Sequence, residues 1–124
     1  MPDWHGYCRK ATGVTPDGNR LGVEFASGRS QRVTVEELAD RYVLRGVAAR
    51  ASEVPTEDSP ERRAWIINRT TDLVGFRIDT QGRFVGEAWV PKLGLTAGEF
   101  ELVARRVAAE CDRMEYVLTG EDRE

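Results

Sequence analysis

The stretch Leu95-Thr96-Ala97-Gly98-Glu99-Phe100, running on to Glu115-Tyr116-Val117-Leu118-Thr119-Gly120, decides how the chain folds. Thr96 and Glu99 have the spacing of a capping box, in which each side chain satisfies an orphan backbone donor of the other. Leu95, before the cap, and Phe100, at the fourth helical position, are placed to form a hydrophobic staple across it. Apolar residues then recur at Phe100, Val103/Ala104, Val107, Cys111, Met114 and Leu118, a helical period. Gly120 suits the left-handed residue that closes a helix. At about 1.5 Å per residue the helix is roughly 34 Å long, enough to cross a small domain, so its apolar stripe reads as core. On the opposite face Glu101 with Arg105, and Arg106 with Glu110, have the four-residue spacing of solvated ion pairs.

A hairpin precedes this helix. Val74, Phe76 and Ile78 share one face, Asp79-Thr80-Gln81-Gly82 makes the turn, and Phe84, Gly86, Ala88 and Val90 share a face of the return strand, which Pro91 ends. Pairing Ile78 with Phe84 sets Phe76 against Gly86 and Val74 against Ala88, bulk opposite small residues. On the other face Leu73 lies opposite Trp89, Gly75 opposite Glu87 and Arg77 opposite Val85, a mixed surface. Upstream, a polar loop over Ser52 to Ser59, with Pro55, Glu57 and Asp58, leads into Ser59-Pro60-Glu61. These three open a helix: serine caps, proline is tolerated at the first position, and glutamate suits the positive dipole end. The helix is short and apolar, carries Ala64-Trp65-Ile66-Ile67, and frays near Arg69–Thr71.

The front half reads as strands. Leu21, Val23 and Phe25 alternate with small or polar residues, Ser27-Gly28 turns, and Val33 and Val35 alternate on the return. Thr15-Pro16-Asp17-Gly18 has turn chemistry, and something extended precedes it around Tyr7 to Val14. Between Glu36 and Ala51, local propensity favours helix. The apolar cluster Tyr42, Val43, Leu44 and Val47, interrupted by Gly46, argues the other way; residue pattern alone leaves the two near even, and a turn near Leu38–Asp40 with a strand from about Arg41 to Ala51 is expected. The order is β-β-β-α-β-β-α, with room for one more N-terminal strand. It predicts an α+β fold: a single antiparallel twisted sheet packed with a short helix and a long C-terminal helix.

Composition bounds the rest. The 124 residues make one domain, residues 1–124, large enough to close a core without staples. The net charge is −3 with acids and bases interspersed, so no basic groove points to nucleic acid. No secretory start and no apolar run of membrane-spanning length is present, which leads to the expectation of a cytoplasmic protein with no membrane partner. Cys8 and Cys111 are far apart; Cys111 lies on the apolar helical face and is expected as a buried free thiol. Asn68-Arg69-Thr70 matches a glycosylation sequon, which in this setting reads as accidental. His5, the one histidine, lies in a stretch expected to fray and has no obvious catalytic neighbour; it reads as a partly exposed bystander. One histidine and two distant cysteines do not make a zinc site. No phosphate-loop, dinucleotide or nucleophile-elbow motif is present. The expectation is a protein that is not an enzyme, with no catalytic residues, no cofactor and no metal.

In the second half a family pattern emerges. Asn68-Arg69 leads into Val74-Gly75-Phe76-Arg77-Ile78, then Gly82-Arg83-Phe84-Val85 and Ala88-Trp89-Val90-Pro91, followed by Gly94-Leu95-Thr96 and Glu99-Phe100. Beyond these come Ala108-Ala109-Glu110, Asp112-Arg113-Met114-Glu115-Tyr116 and Leu118-Thr119-Gly120. This resembles the YbjN-type proteins, which share the fold of type III secretion chaperones. The resemblance covers residues 60 to 120 well; the front half agrees in strand order and in Gly28-Arg29-Ser30-Gln31-Arg32-Val33. It implies a small bacterial, often dimeric, non-enzymatic protein that holds segments of other proteins. Family chaperones start with a helix, whereas residues 1–14 are short and glycine-broken.

The reading is therefore a protein- or peptide-binding, chaperone-like module acting through an apolar surface on the hairpin's outer face. Leu73, Val85 and Trp89 are its candidate contacts, with Arg77 and Glu87 at the polar edge, and its partner is an unidentified protein or peptide client. Trp65, Ile66 and Ile67 point in several directions from one short helix, so a second subunit is expected to cover part of it, giving a homodimer. The alternative is a regulatory domain that binds a small ligand or effector at a dimer interface.

Overall fold

The computed structural model describes residues 3–9, 11–54, 59–69 and 71–119. A 3-10 helix, Asp3–Cys8, leads into β1 (Val14–Asp17), β2 (Arg20–Glu24), β3 (Ser30–Glu37) and β4 (Arg41–Ala49). A 3-10 turn at Ala51–Glu53 precedes α1 (Pro60–Asn68), then β5 (Gly75–Ile78), β6 (Phe84–Pro91) and α2 (Ala97–Thr119). The six strands form one antiparallel sheet in the order β1-β2-β3-β4-β6-β5, the α+β architecture expected from the sequence. The additional N-terminal strand is β1. Its position corrects the extended stretch expected over Tyr7 to Val14: Tyr7 and Cys8 are helical, and Thr15 to Asp17 lie in the strand rather than in the turn. The reversal falls at Gly18, whose positive φ of 62° permits the tight connection.

β4 is a strand despite its helix-leaning composition, because it is central: it pairs with β3 on one side and along most of its length with β6 on the other. Tertiary pairing overrides the weak local preference. Two glycines face each other in this central pair, Gly46 opposite Gly86. A Cβ built on either would stand within 2.9 Å of Cys111 Sγ. The missing side chains let α2 settle directly on the sheet, the positional use of glycine inside a strand.

That helix carries the core. Its cap forms as the sequence predicts: Thr96 N donates to Glu99 Oε1 at 3.0 Å and Glu99 N donates to Thr96 Oγ1 at 3.2 Å. Phe100, Val107, Cys111, Met114 and Leu118 are all buried against the sheet, each large side chain contributing roughly 1.5–3 kcal/mol relative to exposure. The solvent-side pairs Glu101–Arg105 and Arg106–Glu110 also form. Gly120, the expected helix closer, lies outside the described residues, as do Pro55, Glu57, Asp58 and Thr70.

The N-terminal segment departs from expectation. Trp4 is buried and stacks on Phe100 at 5.8 Å between ring centroids, with Tyr7 on the same ring at 5.3 Å. His5 is not a partly exposed bystander: it is buried beside Trp4, and its Nε2 donates to the Gly18 carbonyl at 2.8 Å. The aromatic contacts with α2 are long-range, which is why local sequence reads as fraying.

α1 docks at the other edge of the sheet, on β5. Ser59 Oγ accepts from Arg62 N as cap. At the far end the Asn68 amide takes both main-chain groups of Phe76: it donates to the carbonyl at 2.9 Å and accepts from the N–H at 2.7 Å. The sequon asparagine is thus a structural tie.

Candidate functional site

β5 covers only part of β6. Its pairing runs from Ile78–Phe84 to Gly75–Glu87 and stops, so Ala88 to Pro91 pair with β4 alone. The stop has a cause in the preceding loop. Val74 N donates to the Asp72 carbonyl at 2.8 Å, and Leu73 between them has φ of 74°. This is a γ-turn with positive φ at its centre, a rare and strained conformation for a leucine. It turns Leu73 outward, more than half exposed, instead of letting it pair flat against Trp89.

Beside this turn lies a cleft of about 310 Å³. It is lined by Leu73 and Trp89, by Leu93 and Leu95 of the loop before α2, and by Leu102 of α2. Trp89 is 62 % exposed and Leu93 is 96 % exposed, with Leu73 and Leu102 both above half. Large apolar side chains scattered singly over a surface need no explanation, but a contiguous group marks a contact site. Arg41 lies over the Trp89 ring at 4.3 Å, a cation–π contact that holds the indole in place while leaving most of it open.

The remaining residues expected on this surface behave differently. Val85 is fully buried, which removes it as an exposed contact. It faces outward from the sheet, but its cross-strand neighbours are Arg77 and Val47, and a chain of ion pairs runs over that region. Arg45 Nε meets Glu87 Oε2 at 2.8 Å and Arg77 Nε meets Glu87 Oε1 at 2.9 Å. Arg77 and Glu87 are therefore parts of a bridge across β4, β6 and β5 rather than the rim of an apolar patch. Burial by itself would raise the Glu87 carboxyl, but the hydrogen bonds and charges of Arg77 and Arg45 outweigh it and hold the group below its usual range.

On α1, Trp65 is 62 % exposed and Ile66 is partly exposed, whereas Ile67 is half-buried and packs on the core. The divergence of the three side chains is as expected from a short helix; Ile67 is committed within the chain. Trp65 carries a cation–π contact with Arg69 at 5.3 Å.

The thiols offer no chemistry at the cleft. Both cysteines are free and buried, and burial pushes Cys111 up to about 12, far from thiolate at neutral pH. No group of three or more His, Cys, Asp or Glu side chains converges as for a metal among the described residues. No helix among them is long and apolar enough to cross a membrane.

Leu93 and Leu102 were not singled out in the sequence. Both carried a signal: Leu93 is an apolar residue inside a turn, and Leu102 stands off the apolar stripe of α2.

No family profile and no curated protein matches the sequence. Solved structures do share the fold. A chain of the heterodimeric ExoU–SpcU complex from the type III secretion system of Pseudomonas aeruginosa superposes with a TM-score of 0.63 at 15% identity, over 85% of this chain and 87% of that one. A chain of the ExsC–ExsE complex gives 0.59 at 14% identity, over 81% and 76%. A chain of the HopA1–SchA chaperone–effector complex gives 0.54 at 11% identity, over 95% and 91%. At these identities the likeness is one of fold, and that fold is shared with chains of a type III secretion complex and of a chaperone–effector complex.

Proposed function

We propose that the chain is a non-enzymatic, chaperone-like protein-binding domain that holds an apolar, extended segment of a client in the cleft at the end of β6. The observation that carries this reading is the convergence of Leu73, Trp89, Leu93 and Leu102, all largely exposed, on one cleft. Two features support it. The strained turn at Leu73 leaves a leucine in water, and strain of this kind clusters at binding sites. The fold is shared with chains solved in protein complexes, one of them a chaperone with its effector. Within the same reading the chain is a single YbjN-type domain of the cytoplasm that pairs with a second copy through Trp65 and Ile66 of α1.

The test compares Trp89→Ala with the unaltered protein, using a client peptide identified by co-purification and then made synthetically. Removing the indole is expected to weaken peptide binding on the order of 2 kcal/mol, about 30-fold. Stability should fall by less than about 1 kcal/mol, the scale of the lost cation–π contact. Equal losses of binding and stability would assign Trp89 to the core and remove this site. Leu73→Gly separates the effects further: it relieves the positive-φ strain, so stability rises while peptide binding weakens.

A further inference from the structure

We infer that the opposite end of the central strand pair holds a second site, which binds a small molecule carrying two or more phosphate groups. Pairing between β3 and β4 runs from Glu37–Tyr42 to Thr34–Arg45 and ends there, and β4 is bulged between Val47 and Ala49 where it continues along β6. The two strands part, and a cavity of about 250 Å³ opens between them. Five arginines line it: Arg20 from β2, Arg32 from β3, Arg45 from β4, Arg50 after it, and Arg83 before β6.

Two of the five are already occupied. Arg45 pairs with Glu87 and Glu36, and Arg83 pairs with Asp79. Arg20, Arg32 and Arg50 enter none of the ion pairs formed among the described residues. Three guanidiniums outside the ion pairs of the described residues line one concavity, together with Glu53 and Glu115, in a chain of net charge −3. Each presents a planar fork of donors that matches phosphate oxygens two at a time.

Gln31 is 4 % exposed; its Oε1 accepts from Arg32 N at 3.3 Å, and its Nε2 has no acceptor. Gln31 alternates with Arg32 along β3 and shares the inner face with Val33 and Val35, so its amide lies on the α2 side of the sheet and not among the arginines. Two carboxylates also line the space, Glu53 and Glu115. Glu115 is buried on α2 beneath the sheet, so the anion is placed on the outer, arginine side. Three guanidiniums outside the ion pairs of the described residues fit a diphosphate or triphosphate better than a single carboxylate. The small, walled volume favours a free small molecule over an acidic stretch of protein.

The experiment is calorimetry and thermal unfolding with sodium pyrophosphate and sodium tripolyphosphate, each against sodium chloride at matched ionic strength. Both probes should bind saturably at one site per chain and raise the unfolding temperature, and Arg20→Gln or Arg32→Gln should weaken binding about tenfold or more. Arg50→Gln, at a surface position outside the strands, gives the same reading should a strand variant fail to fold. Arg32→Lys, which keeps charge but loses the fork, should fall between. Stabilisation no greater than that by chloride, or equal binding by the unaltered and Arg→Gln proteins, would overturn the site. So would binding of poly-glutamate through these arginines with none of pyrophosphate, which would make the partner an acidic protein segment. Trp89→Ala should leave pyrophosphate binding unchanged.

Discussion

Replacing Gly46 by alanine tests how closely α2 rests on the sheet. A Cβ at residue 46 would lie 2.8 Å from Cys111 Sγ, 3.4 Å from Cys111 Cβ and 3.6 Å from the Arg32 carbonyl. The sulfur contact is well inside van der Waals separation, and Cys111 is fully buried. Overpacking of this kind costs about 1–3 kcal/mol. Against it stands the roughly 0.5–1 kcal/mol that alanine gains over glycine by restricting the unfolded chain. The net destabilisation is therefore about 1–2 kcal/mol, or about 4–8 °C in a domain of this size. The obstruction is a single atom, so Cys111→Ala should relieve it. Alone, Cys111→Ala leaves a small cavity and costs about 1 kcal/mol. Combined with Gly46→Ala, the added methyl occupies part of that space, and the double variant should be more stable than additivity requires by about 1 kcal/mol. Gly86→Ala provides the contrast: its Cβ would also meet Phe76 Cε1 at 2.8 Å and Val74 Cγ1 at 3.2 Å. Removing the sulfur relieves only one of those three contacts, so Gly86→Ala should stay strongly destabilised in the Cys111→Ala background. Urea unfolding with constant m-values measures all six proteins. Strict additivity of Gly46→Ala with Cys111→Ala, or a Gly46→Ala protein as stable as the original, would refute the close approach as the reason for these glycines.

Three further outcomes follow from the same structure. Asp79 and Glu87 both have folded-state carboxyl groups held below their usual range, burial opposing and hydrogen bonds from arginine or main-chain partners prevailing. Their stabilisation is full above the unfolded carboxylate range near about 4 and is lost as pH falls through the lower folded values. The Asp79→Asn/Glu87→Gln protein should be weaker at pH 7 and lose less stability between pH 5 and pH 3; an unchanged acid slope would count against the ion-pair bridge. Thr96→Ala should cost about 1 kcal/mol by removing one half of the capping box, read by urea unfolding, whereas Thr96→Ser should cost little. Light scattering at micromolar concentration should give about twice the 13.9 kDa chain mass, and Trp65→Glu should return it to the single-chain value; a monomer in the unaltered protein would remove α1 as an interface.

What was legible in the sequence was what local rules govern. The capping box and the period of α2 are short-range, and both are found where the spacing puts them. The register of β5 with β6 was readable because bulk and glycine had to alternate across the pair, as Phe76 and Gly86 do. β4 needed the resemblance, since its own residues lean towards helix. The candidate site was legible in part. Trp89 and Leu73 stand exposed at the cleft. The burial of Val85 on the outer face is set by neighbours on two other strands, Val47 and Arg77, which no one-strand pattern records. The burial of His5 is not legible locally because it sits beside Trp4, and the ring on which Trp4 stacks, Phe100, is distant in sequence. The arginine cavity was invisible for the same reason: its five arginines come from separate segments and meet only because two strands part.

The Asn68 tie has a consequence for the chain's behaviour among its own copies. An open strand edge is a template on which further strands can stack, and exposed tryptophans beside such an edge would invite fibrous aggregation. At β5 the asparagine amide occupies both main-chain groups of Phe76, as a neighbouring strand would. At the opposite margin β1 is four residues long and has Pro16 inside it, which withholds a donor. Both margins of the sheet are thus closed to growth, and the apolar surfaces at Trp65 and Trp89 can stay open to specific partners without seeding polymer.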